Sequence, residues 1–275
     1  MVLEPTASHT ATKQRESRPG SMTVALPTIH LENMGKYIDE TLWRRALCKP
    51  DWYLILADDF KRLEKLAEQQ KNNPDHKVIK GEAYSLVEEA LRIGTIPRAP
   101  SGENLDKQRK PIDTIVIHHT KNRPGMTLGR LNAMQLLRIY GMYYANPTDK
   151  LELQFKGQAV WSGHFYNGEQ VFWGYHWLVR ENGELEHILD DKYIGWHAGN
   201  WDINTRSVAI CIDDDLSNRE PNNVVIGSIA KLLRDQYLTV NPRNIVGHCD
   251  VNKKTECPGR LFHESWRQKL LNKIV

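Results

Sequence analysis

Between about Asn33 and Ile96, apolar residues recur at three- and four-residue spacing: Ile38, Leu42 and Trp43, then Leu56, Phe60, Leu63, Leu66 and Ala67, then Leu86, Val87, Ala90 and Leu91. That period lines one face of a helix and predicts two or three amphipathic helices. Pro50 and the NNPD stretch at 72–75 separate them, and Gly94 followed by Pro97 ends the last. Ahead of them, residues 1–27 are rich in Thr, Ser, Pro and charge without a hydrophobic period, which predicts a flexible tail. Behind them, PRAPSGENLDKQRKP at 97–111 carries turn residues and charges and reads as a linker.

The pattern changes at residue 112. IDTIVIHH, 112–119, is a β-branched run of strand length, followed by a helical stretch from Leu128 to Tyr144. YHWLVRENGELEHIL, 175–189, reads as two strands about an Asn182-Gly183 turn, and SVAICID, 207–213, as a buried strand. Ile226, Ile229, Ala230, Leu233 and Tyr237 share a helical stripe with Asn222 or Asn223 as N-cap; a short strand at NIVGH and a last helix after Pro258 follow. The expected fold class is α/β, a mixed central β-sheet flanked by helices, with an N-terminal helical accessory region. The expected organisation is a tail (1–27), helical accessory region (28–96), linker (97–111) and one main domain (112–275).

Composition narrows the function classes. With 275 residues, 40% hydrophobic and 26% charged, the chain has an ordinary globular balance, which excludes disordered and collagen-like classes. The excess of 37 basic over 34 acidic residues gives a formal net charge of +3, too mild for a nucleic-acid partner, and zinc-finger spacing is absent. No apolar run approaches the roughly 18–20 residues of a membrane span. The start, MVLEPTASHTATKQRESRPGSM, has no apolar core of a secretion signal. The expectation is therefore synthesis in the cytoplasm, with any cell-wall target reached by lysis, phage delivery or specialised secretion. The four cysteines, Cys48, Cys211, Cys249 and Cys257, form no CxxC pair and predict no disulfide framework. Eleven His, eight Trp and ten Tyr crowd towards the C-terminal two-thirds.

Catalytic zinc sites take three protein ligands and leave one position open. His118 and His119 end the first strand of the main domain, His248 follows the strand NIV, and Cys257 lies nine residues further on. On spacing alone these are equally well ordinary core or surface residues, Cys257 a small buried hydrophobe and Tyr175 a packed aromatic.

IVIHHT, GYHWLVRENGELE, GWHAGNWDINTRSVAI and GHCDVNKKTECPG resemble, in order and approximate separation, motifs of the zinc-dependent N-acetylmuramoyl-L-alanine amidases, which include phage lysozymes of the amidase type and peptidoglycan recognition proteins. The resemblance covers 112–262. It implies His118, His248 and Cys257 as Zn2+ ligands, His119 as their neighbour at the site and substrate edge, and Tyr175 of GYHW as the hydroxyl facing the zinc water or oxyanion. Phage members carry a lysine two residues before the Cys, where this chain has Thr255. The loop from His248 is one residue longer than in those relatives, so either Thr255 or Lys254 is expected at the oxyanion. Where some relatives have a Glu on the VAICID strand, this chain has Cys211, so carboxylate assistance is not expected there; Cys211 and Cys249 read as structural. Trp196, His197 and Asn200 of GWHAGNW are expected to border a groove for peptidoglycan or a muropeptide, while Asn204 and Ser207 bond the turn before the strand. The acidic IDDD at 212–215 reads as solvated loop end. The aromatic-rich segment 154–174, with His164 and Tyr166, reads either as a groove wall or as a surface loop or extra hairpin. The implied activity is hydrolysis of the bond between the lactyl group of N-acetylmuramic acid and L-alanine; the alternative is a recognition module of the same fold that binds peptidoglycan without cutting it. The N-terminal helices are expected to stabilise the main domain by packing, with a protein or cell-wall partner as the other option.

Overall fold

The N-terminal periodicity resolves into five helical segments rather than two or three: α1 (Glu40–Leu47), α2 (Trp52–Ile55), α3 (Ala57–Gln69), α4 (His76–Ile79) and α5 (Gly81–Arg92). The two extra pieces are single turns, too short to display a 3.6-residue period. The computed structural model describes residues 37–274 apart from 71, 72, 74, 75, 148 and 149, all within one compact unit. The tail expected at 1–27, the onset of the helical region and most of the NNPD turn lie outside the described residues. Asp39 starts α1, its carboxylate accepting the Leu42 amide at 3.0 Å, so an otherwise orphaned donor is satisfied.

Trp43, Leu47, Trp52, Tyr53, Phe60 and Leu63 are almost wholly buried, and their cluster continues without a break into Leu136, Leu137, Tyr140 and Tyr144. Each such side chain contributes about 1.5–3 kcal/mol on burial. The helical region therefore shares one core with the segment after the first strand. Residues 97–111 are fastened along their length: Asp106 accepts the Ile194 amide at 2.7 Å, and Arg109 donates to the carbonyls of Asp191, Asn204 and Ser207 at 2.8, 3.1 and 2.9 Å. Asp106 and Arg109 thus bond backbone of distant segments, while most of the other polar side chains of this stretch are exposed.

The strand β1 (Thr114–His119) leads into α6 (Leu128–Leu136), capped by Thr127, and α6 runs on as a π-helix, Leu137–Tyr144. Then come α7 (Lys150–Phe155), the hairpin β2 (His164–Tyr166) and β3 (Glu169–Val171), β4 (Trp177–Val179), β5 (Leu185–His187), α8 (Trp201–Arg206), β6 (Ser207–Ile212) and α9 (Asn223–Gln236, capped by Asn222). The chain ends with β7 (Ile245–Gly247), α10 (His248–Val251), a π-helical turn at Phe262–Trp266 and α11 (Arg267–Asn272). Asn167 and Gly168, both at positive φ, make the β2–β3 turn. The extra-hairpin reading of 154–174 thus describes its second half.

The main sheet has the order β5-β4-β6-β1-β7; β4, β6, β1 and β7 are parallel and β5 antiparallel, so it is mixed as expected. Alternation divides its faces. Ile115, Ile117, Ile210, Ile212 and Val179 meet α9 and α11 on one side. Leu178 and Cys211 meet Met126, Leu131 and Trp173 on the other. His118 is in register with Cys211, which puts it on that second face beside α6. Among the described residues no helix is long and apolar enough to cross a membrane.

Candidate metal centre

Parallel β1 and β7 open their carboxyl ends at the same sheet edge, where open α/β sheets collect ligands. His118 lies near the end of β1, and His248 begins α10 directly after β7. Cys257 returns in the following loop. One donor atom from each of these three lies within 4.8 Å of the others, and His118 Nδ1 is 3.8 Å from Cys257 Sγ. A tetrahedral zinc with Zn–N about 2.0–2.1 Å and Zn–S about 2.3 Å separates such donors by about 3.6 Å. The donor set and its spacing therefore fit a zinc ion.

Hydrogen bonds fix which imidazole nitrogen is available. Ser207 donates its hydroxyl to the Ile203 carbonyl at 2.6 Å, leaving its oxygen to accept from His197 Nε2 at 3.1 Å. His197 Nδ1 then carries a lone pair and accepts from His118 Nε2–H at 2.9 Å. His118 is left with a bare Nδ1 on the side of Cys257. His248 Nε2–H donates to the Ala198 carbonyl at 3.3 Å, so it too keeps its lone pair on Nδ1. Burial, reinforced by the neighbouring His248 and His197, holds the His118 pKa well below its ordinary value, and burial with the nearby Arg138 charge lowers His248 to about 4. Both imidazoles are neutral donors at neutral pH. Burial pushes the Cys257 thiol up to about 12 against the His119 amide, which donates to its sulfur at 3.4 Å.

The ligand loop is held by close backbone contacts. Cys249 donates its amide to the Cys257 carbonyl at 2.7 Å, and the Thr255 hydroxyl accepts the Cys257 amide at 3.2 Å. Gly259 has φ +110, and a Cβ there would lie 1.9 Å from the Leu216 carbonyl oxygen, so no larger residue fits. Asp213 corrects the expectation of a solvated acidic end: it is fully buried, accepts the amides of Gly125 and Met126 at 2.9 and 3.1 Å, and pairs with Arg180 at 2.8 Å. Asp214 is buried as well. The Asp213 carboxylate pins the loop after β1, and that of Asp214 accepts from the Asp215 amide and Arg219.

A profile of the N-acetylmuramoyl-L-alanine amidase family matches residues 108–260, more than half of the chain. The chain belongs to this family. No curated protein matches significantly. Among solved structures, the chain is similar to N-acetylmuramoyl-L-alanine amidase LysC from Clostridium intestinale URNW at 22% identity, over 64% of this chain and 92% of that one, with a TM-score of 0.40. It is similar to the Ph2119 endolysin from Thermus scotoductus MAT2119 bacteriophage Ph2119 at 20% identity, over 60% and 86%, TM-score 0.40. It is also similar to Drosophila peptidoglycan recognition protein SD at 19%, over 59% and 82%, TM-score 0.38.

In this amidase-family chain the other expected site residues take varied places. The Tyr175 ring lies 5.1 Å from that of His118, with the Cys211 thiol near its hydroxyl. His197 is 1% exposed and sits behind His118, so its contacts leave it no face on a groove. His119 points to the opposite sheet face, where its Nδ1 accepts the Leu216 amide at 2.9 Å; strand alternation makes that unavoidable once His118 faces the site. Trp196 is half-buried against Tyr144 and Trp201. Asn200 caps α8, accepting the Ile203 amide at 3.2 Å. Asn204 accepts the amides of His197 and Ala198, so it does bond the turn. Thr255 is engaged with the Cys257 loop, and Lys254 is exposed. His164 is buried against Tyr193, while Tyr166 is exposed and packs on Trp173. A second metal-capable group, Cys249, Asp250 and His263, is internally engaged, since Asp250 accepts the Gly247 amide at 2.7 Å and bonds His263 at 2.9 Å. Sequence reasoning missed Arg138, whose charge acts on all three candidate ligands; its only signal was a cation on the inner half of a predicted helix.

Proposed function

We propose that this chain hydrolyses the amide between the lactyl group of N-acetylmuramic acid and L-alanine of the peptidoglycan stem peptide, with zinc held by His118, His248 and Cys257. The observation that carries this reading is the convergence of two neutral imidazoles, both presenting Nδ1, on one thiol sulfur. Such a zinc supplies Lewis-acid polarisation of the carbonyl and a water of lowered pKa. The chain's own residues prepare that centre. His197 and Ser207 lock the His118 ring and tautomer to the Ile203 carbonyl, and Ala198 does the same for His248. The His119 amide aims at the Cys257 sulfur and favours its thiolate.

Burial, with Cys211 and Cys257 nearby, keeps the Tyr175 phenol protonated far above neutral pH. Tyr175 therefore acts as a hydrogen-bond donor to the carbonyl oxygen as negative charge develops there, and not as a base. In the overall reaction a water oxygen bonds to the carbonyl carbon, the C–N bond breaks, and one water proton ends on the departing amine.

The test is zinc content alongside muropeptide cleavage. We expect about one zinc per chain, release of free stem peptide, loss of activity on chelation, and loss of both metal and activity in Cys257→Ser. Metal-loaded protein that binds muropeptides and releases no stem peptide would establish the binding-only alternative instead.

A further inference from the structure

A cleft runs from Tyr175 beside the candidate metal centre to the N-terminal helices. One wall comes from α3 and α5 with the turn between α4 and α5, through Glu64, Tyr84 and Lys80; the other includes Arg138 of the π-helix. The charges of the first wall are already matched. Lys80 lies 2.8 Å from Glu64 and also bonds Tyr84. Arg138 differs: it is half-buried, yet among the described residues it has no hydrogen-bond acceptor and no carboxylate partner. Arg109 and Arg180 of the same chain, also partly buried, each donate to carbonyls or carboxylates.

A guanidinium offers five donors in a planar fork that matches a carboxylate. Leaving it partly desolvated and unpaired is unfavourable unless a ligand completes it. Its charge reaches Tyr175, His118, His248 and Cys257, lowering the proton affinity of each, so it stands within electrostatic range of any bond cleaved at this centre. A zinc held by two neutral imidazoles and one thiolate would leave a further net positive charge. The cleft end is thus cationic, and among the described residues no carboxylate pairs with Arg138 there, Glu64 being matched by Lys80.

We infer that Arg138 is a specificity residue that receives a carboxylate of the peptide on the leaving side of the scissile amide, in a cleft whose far wall the N-terminal helices supply. The inference rests on the amidase reading for the identity of the bond. It gives the helical region a part in shaping the substrate site as well as in sharing the core.

The experiment compares two substrates that differ in one group, N-acetylmuramoyl-L-alanyl-D-glutamate with its free α-carboxylate and the same compound with that carboxylate as primary amide. Binding to metal-free full-length protein is measured by calorimetry, and kcat and KM with zinc-loaded protein. A charge-assisted pair predicts about tenfold to a hundredfold tighter binding of the free acid. Arg138→Gln should abolish that preference mainly through KM, and Arg138→Lys should restore part of it. Equal binding of acid and amide by the unaltered protein overturns the inference and leaves the amidase reading intact. Equal loss of kcat on both substrates in both variants assigns Arg138 to the oxyanion and also overturns it. Acid-selective binding that depends on Arg138, with no hydrolysis by zinc-loaded protein, supports the carboxylate site while rejecting the amidase reading.

Discussion

The N-terminal helices and the carboxyl edge of the sheet bury their residues by opposite rules. In α1–α5 the interior is mostly apolar, and removing a member costs mainly packing, with a single polar tip bonded at Trp43 and at Tyr53. At and behind that edge the interior holds His118, His248 and Asp213, with His176, His197 and Ser207 further back along the strands, each with a polar partner. Apolar burial is forgiving about orientation. A buried imidazole is not, because one misplaced proton leaves a donor facing a donor. The first region therefore contributes stability and the second a defined chemistry, and mutations should separate the two.

The largest effect expected is on turnover. Tyr175→Phe should retain zinc and lower kcat by about 10²–10³-fold if its hydroxyl serves the oxyanion. Unchanged kcat would move Tyr175 into the packing class. On the other side of the comparison, Trp43→Ala removes a side chain with no exposure and should cost about 3–5 kcal/mol in urea unfolding. Metal content per folded molecule should not change. A loss of bound zinc in the folded variant would mean that the two regions are coupled.

Acid should weaken the polar interior selectively. His176 Nδ1 accepts the Ala209 amide at 3.1 Å and Nε2 donates to the Tyr193 carbonyl at 3.1 Å, so burial and an occupied lone pair leave its pKa at about 4 rather than 6.5. The unfolded chain takes up a proton that the native ring refuses. Its contribution is complete above 6.5 and is lost as pH falls towards about 4, on the order of 1.4 kcal/mol per pH unit in that window. Urea midpoints of metal-free protein at pH 7.5, 6 and 5 should fall in that order, with a shallower fall in His176→Gln. A flat profile would remove this account.

The smallest change tests the relay. His197→Ala and Ser207→Ala should weaken zinc binding about 10–100-fold by chelator competition without removing a ligand. Wild-type affinity in both would mean that the His118 ring is held by packing alone.

Much of this was legible in the chain. The run at 114–119, the strand 207–212 and the helix 223–236 announce themselves through local patterning, and each occurs where expected. The His and Cys candidates were likewise visible, although their roles rested on resemblance. The bonds of His197 to His118 and Ser207 could not be read in advance, because its neighbours in sequence resemble a groove segment while its partners lie on two separate strands. The same holds for Asp213, whose acidic surroundings suggested water and whose partners Arg180 and the Met126 amide lie far off in the chain. Residues 97–111 look like a linker for a related reason: their bonding partners are distant carbonyls.

By itself the sequence determined the class of fold and the family and offered a candidate set of metal ligands, since periodicity and residue type are local properties. Only the tertiary structure decided which imidazole nitrogen faces the thiol, which histidine stands behind another and that Arg138 meets no acceptor among the described residues. Those depend on what lies across a strand or cleft, and a hydrogen bond is specified by both of its ends.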